Sequence, residues 1–99
     1  MMTFWTESAV EVPKEGILDL RFPDVEVLDS ASERRERSQK IHRATSLGNL
    51  EKHKVKIYFQ DVESVRMTHT TIWAQTEKKI LLKDGAYIPV HRILDIELK

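Results

Sequence analysis

Lys79-Ile-Leu-Leu-Lys-Asp-Gly-Ala-Tyr-Ile-Pro-Val-His-Arg-Ile-Leu-Asp-Ile-Glu-Leu98 decides how this chain is read. Asp84-Gly85 lies between two short apolar runs, and a two-residue hairpin turn with positive φ at both positions favours that dipeptide. Centred there, the hairpin pairs Leu82 with Tyr87 and Leu81 with Ile88. Pro89 cannot donate to a ladder, so pairing ends there or turns its unbonded side outward. Val90-His-Arg-Ile93 suits a short 3₁₀ turn. Leu94, Ile96 and Leu98 then alternate with Asp95 and Glu97 in a closing strand.

Working towards the N-terminus, Lys54-Val-Lys-Ile-Tyr-Phe59 also alternates. It places Val55, Ile57 and Phe59 inward and Lys56 and Tyr58 outward. After a turn at Asp61-Val-Glu-Ser64 comes a long strand, Val65 to Ala74, whose apolar positions change parity between Met67 and Ile72. That phase change predicts a bulge or bend that lets one strand serve two sides of a small core. Trp73 then either packs outward under the N-terminal arm or closes one end of the core. Residues 49–99 are expected to form a small SH3-like β-barrel in a mainly β (α+β) chain.

Residues 31–48 carry the helix signal. Ser30 and Glu33 have the spacing of a capping box, and Gly48 suits the left-handed position past a helix end, with Leu50 folding back. Residues 1–30 read as a β-hairpin arm: Ala9 to Val12, a turn at Pro13-Lys-Glu-Gly16, Ile17 to Phe22, then Val25 to Leu28. A domain of about 60 residues buries only about 60% of its unfolded surface. Phe4, Trp5 and Leu18 of the arm are therefore expected to cover the barrel, making one domain of the whole.

With 40% hydrophobic and 32% charged residues, the 99-residue chain has the composition of a soluble globular protein. No apolar run nears the roughly 20 residues of a membrane span, and the first residues lack an export signal. The expectation is a cytoplasmic protein without membrane contact. The absence of cysteine excludes disulfides and thiolate metal sites. Three scattered glycines write no phosphate-cradling loop, and the four histidines fall in separate elements. Asp95 and Glu97 alternate with apolar residues as on the wet face of an edge strand. Neither an enzyme nor a cofactor is expected.

The net charge is +0, but it is unevenly spread. Seven acidic residues face only Lys14 and Arg21 within residues 1–32, whereas Arg34, Arg35, Arg37, Lys40 and Arg43 outnumber Glu33 and Glu36 in the helix. Two readings of that helix compete. Its arginines clamp phosphates in forked geometry, or they pair with glutamates at i,i+4 and with the acidic arm. Lys56 and Tyr58, with Arg66 and Arg92 nearby, offer a basic face with an aromatic for single-stranded RNA.

Val55 to Leu98 resembles the SH3-like small barrels, including Sm-like RNA-binding proteins, in its strand pair, long bent strand, Asp-Gly hairpin and terminal strand after a short turn. That resemblance implies a barrel fold and RNA as a partner. Leu47-Gly-Asn-Leu-Glu-Lys-His-Lys-Val-Lys-Ile57, Thr71-Ile-Trp-Ala74 and Ile88-Pro-Val-His-Arg-Ile93 resemble an uncharacterised group of short bacterial proteins, which implies a cellular setting and no mechanism. The function expected is a non-catalytic binding module that associates with itself. The alternative is an RNA- or DNA-binding regulator using the basic helix and the barrel face.

Overall fold

Ser30 starts the helix as its spacing predicts. In the computed structural model, which describes residues 8–98, Ser30 Oγ accepts the Glu33 N–H at 3.0 Å while Glu33 Oε1 accepts the Ser30 N–H at 3.4 Å. This reciprocal pair satisfies two backbone donors that the helix itself leaves unused. Helix α1, Ala31–Glu51, buries Arg37, Ile41, Ala44, Thr45 and Gly48. That is one narrow stripe at helical spacing; the rest of the helix is mostly polar, with Leu50 exposed near its end. The helix runs past Gly48 and ends at a left-handed Lys52, φ 55°. Gly48 is helical because it lies against the backbone of Ile72, where a side chain has no room.

Seven strands among the described residues form two sheets rather than a closed barrel. Strand β1 (Val10–Glu11) runs parallel to β3 (Val65–Thr70); β3 pairs antiparallel with β2 (Val55–Gln60), and β2 with β7 (Ile93–Glu97). The second sheet joins β4 (Ile72–Gln75), β5 (Lys79–Leu82) and β6 (Tyr87–Pro89) in that order. Thr71 separates β3 from β4. The parity change in Val65 to Ala74 is therefore the point where the chain leaves one sheet for the other.

The core fills the space between the sheets and α1. Val55, Ile57 and Phe59 from β2, Ile93 and Ile96 from β7, Ile72, Ile80, Leu82 and Ile88 from the second sheet and Ile41 and Ala44 from α1 belong to one cluster. Ile17 joins them, with Val12, Leu20 and Phe22 packed alongside. The rings of Phe22 and Phe59 lie 6.0 Å apart at 49°, within the range of favourable aromatic pairs.

The N-terminal hairpin does not form. Lys14–Asp19 is a 3₁₀ helix, β1 has two residues, and Val25 to Leu28 is not a strand. Pro13 starts the 3₁₀ turn, which aims Ile17 into the core and leaves Leu18 68% exposed. The expected cover is thus supplied by Ile17 and Phe22 instead of Leu18; Phe4 and Trp5 lie outside the described residues.

Two registers also differ from expectation. The β5–β6 loop is a three-residue 3₁₀ turn, Lys83–Gly85, with Gly85 at φ 95°, and Leu82 N–H donates to Ala86 O at 2.7 Å. Leu81 therefore faces Tyr87, and Ile80 faces Ile88. Only the glycine needs positive φ here, as in a three-residue hairpin loop. In β7 the register shifts so that both Leu94 and Asp95 lie opposite Tyr58. This bulge sends Leu94 to the second cluster, with Tyr58 and Leu28, while Ile93 and Ile96 stay in the main core. The 3₁₀ turn at Val90–Arg92 forms as expected.

Candidate binding surface

The outer surface of the β4–β5–β6 sheet carries an apolar platform. Leu81 and Tyr87 are cross-strand partners, 38% and 46% exposed. On the other side of Leu81 a register shift between Ile72 and Ala74 puts an additional residue, Trp73, into β4, and Trp73 is 43% exposed. Such a bulge sets two residues opposite one and turns the extra side chain outward. Lys79 completes the platform: its Nζ stands 4.5 Å from the centre of the Tyr87 ring, a cation–π contact.

At the Pro89 end the platform falls into a cleft of ≈ 490 Å³, a size typical of ligand pockets. Tyr87, Pro89 and Val90 form its apolar wall, and Glu77, Lys78 and Lys79 its rim. Glu26, Arg37 and His91 line the rest. Arg37 is nearly inaccessible and grips Glu26 through two nitrogens, at 2.6 and 2.7 Å, while Nη1 also donates to Ile93 O at 3.1 Å. Burial alone pushes the Glu26 carboxyl up, but hydrogen bonds from Arg37 and the Leu28 N–H bring it below the usual carboxylate range. His91 Nε2 donates to Pro23 O at 2.9 Å. Among the described residues no group of three or more histidines and carboxylates is placed to hold a metal ion.

Most of the basic side chains singled out by sequence are committed to holding the chain together. Arg34 Nη1 donates to Leu28 O and Asp29 O at 3.0 and 3.1 Å. Lys40 Nζ meets Asp95 Oδ1 at 2.7 Å. Arg92, buried, donates through Nε to Gln60 O at 3.0 Å and through Nη1 to Val25 O at 2.6 Å. Arg34 and Arg37 tie Glu26, Leu28 and Asp29 to α1, Arg92 ties Val25 to the end of β2, and Lys40 joins α1 to β7. Between the acidic arm and the basic helix, the ion pair seen among the described residues is Glu26–Arg37. Arg35 and Arg43 remain exposed on α1.

Tyr58 does not face outward: it is 6% exposed, packs with Leu28 and Leu94, and donates to Glu97 Oε2 at 3.2 Å. Lys56 is half-buried opposite Glu97. Among the described residues the exposed aromatics are Trp73 and Tyr87 instead, and neither entered the sequence reading as a binding residue. A hairpin one residue longer in its loop would have set Leu81 against Tyr87 and revealed the platform.

No family model, curated protein or solved structure matches the chain. No helix among the described residues is long and apolar enough to cross a membrane.

Proposed function

We propose that this protein is a non-catalytic binding module that associates with itself through the outer surface of β4–β5–β6. The observation that carries the reading is the exposure of Trp73, Leu81 and Tyr87 together on that one surface. Large apolar side chains gathered on a monomer's surface mark an interaction site more often than scattered ones do. The rim supports a two-fold arrangement, because Glu77 stands beside Lys78 and Lys79. A surface bearing both signs is self-complementary across a two-fold axis, with each Glu77 meeting a lysine of the other copy. Three half-exposed side chains are a small interface core, so the affinity expected is micromolar or weaker, about −8 kcal/mol or less in magnitude. Amide spectra recorded across a concentration series test this. The expected shifts fall on β4, β5 and β6; spectra that do not change with concentration contradict it.

A second reading, binding of single-stranded RNA or DNA, draws support from exposed Trp73 on the same sheet and from Tyr87, which shares its cleft with Lys78 and Lys79. Bases stack on exposed aromatic rings while lysines contact phosphate. It moves the nucleic-acid surface from the helix and Tyr58 to the C-terminal sheet. Salt-dependent binding of a single-stranded oligonucleotide that Tyr87→Ala weakens would favour it.

A further inference from the structure

On a different part of the surface, four chain segments bring basic side chains to one small cleft. It has a volume of ≈ 210 Å³ and is lined by Lys14 and Glu15 of the N-terminal 3₁₀ turn, Lys54 from the link after α1, His69 and Thr70 of β3, and Lys83 from the β5–β6 loop. The segments that carry Lys54 and Lys83 are held in place by backbone bonds. Val55 is the ladder partner of Thr70, which sets Lys54 beside the end of β3, and Lys83 N–H donates to Thr71 O at 3.1 Å. The fold therefore fixes where the ammonium groups gather.

Lys54 and Lys83 set two positive charges on this cleft against the single lining carboxylate of Glu15, in a chain whose net charge is +0. Among the described residues neither Lys54 nor Lys83 forms a salt bridge. Like charges in one concavity repel, and a bound anion removes that cost. Lysine is a flexible point charge suited to phosphate oxygens, and the imidazole of exposed His69 is able to donate to such an oxygen. We infer that this cleft binds a phosphate group, carried either by a small phosphorylated molecule or by a nucleic-acid backbone. The inference does not depend on self-association, since the cleft shares no residue with the β4–β5–β6 platform or its rim.

The test is an amide-spectrum titration of the whole protein with inorganic pyrophosphate and, separately, with a single-stranded oligothymidylate. Saturable shifts centred on Lys54, His69, Thr70 and Lys83 are expected. In the double variant Lys54→Ala/Lys83→Ala the affinity should fall by about tenfold or more, and in Arg21→Ala, which removes an exposed charge outside both clefts, it should be unchanged. Response to pyrophosphate alone identifies a small phosphorylated ligand; response to the oligonucleotide alone identifies the backbone of a strand; response to both identifies the phosphate group as such. Absence of shifts there with either probe overturns the inference. So does an affinity that the double variant leaves intact, or shifts centred on Trp73 and Tyr87 instead.

Discussion

A Cβ built on Gly48 would stand 2.3 Å from the carbonyl oxygen of Ile72 and 2.9 Å from Thr71 Cγ2. The helix backbone passes close against Ile72 of β4 there, so the contact that joins α1 to the second sheet depends on the missing side chain. In an isolated helix, alanine would be favoured over glycine by about 1 kcal/mol. Here Gly48→Ala forces backbone apart in a packed core, at a cost of about 1–3 kcal/mol or more. The expected net effect is destabilisation, measured as a lower midpoint in urea. A stabilised variant would show that the helix and β4 lie farther apart than described.

The Glu26–Arg37 pair ties the N-terminal segment to α1. Removing one member leaves the other charge buried without its partner, which typically costs 3–5 kcal/mol for a fully buried pair. Glu26 keeps 29% of its side-chain surface in water, so Glu26→Gln should cost somewhat less, about 2–3 kcal/mol. Equilibrium unfolding of the variant checks this. Protease sensitivity at residues 13–30 should rise with it, as the segment loosens.

Asp61 Oδ1 accepts the N–H groups of Glu63 and Ser64 at 2.8 and 2.7 Å, and Oδ2 accepts Arg66 Nε at 3.0 Å. Burial pushes this carboxyl up, but the two backbone bonds and Arg66 outweigh it and hold its pKa below the ordinary value. A depressed folded-state pKa contributes stability that is complete above the unfolded value, about 4. That contribution is lost as the pH falls through the folded-state pKa. Asp61→Asn should therefore be less stable than the parent at neutral pH by about 1–3 kcal/mol, and the gap should narrow on acidification below about pH 4. A gap that stays constant with pH would mean the carboxylate charge does not matter there.

The strands of the C-terminal half were legible because each carries its own periodic signal. Val55, Ile57 and Phe59 are buried as their alternation required, and the phase change before Ile72 marked a real change of sheet. What could not be read locally was settled by contacts distant in sequence. Gly48 carries a helix-stop signal, yet it is helical because Ile72 lies against it. Ile17 to Phe22 alternates like a strand, but no neighbouring edge pairs with it, and burying Ile17 favours a 3₁₀ turn. The same holds for the site residues. Nothing near Arg37 or Arg92 in sequence reveals that Glu26, Ile93, Gln60 and Val25 claim their donors. The exposed pair Leu81–Tyr87 depends on one residue of hairpin register, which Asp84-Gly85 left open between two loop lengths.

Trp73 and Tyr87 lie outside the main core and are nearly half exposed, so replacing either by serine should cost about 1–3 kcal/mol of stability and leave the protein folded. The variants then separate binding from folding. Self-association is checked by sedimentation equilibrium of the parent and of Tyr87→Ser at matched micromolar to millimolar concentrations. The parent's average mass should rise with concentration, and that of a folded Tyr87→Ser should stay monomeric. A parent that remains a monomer throughout, or a variant that associates as well as the parent does, would contradict self-association through β4–β5–β6.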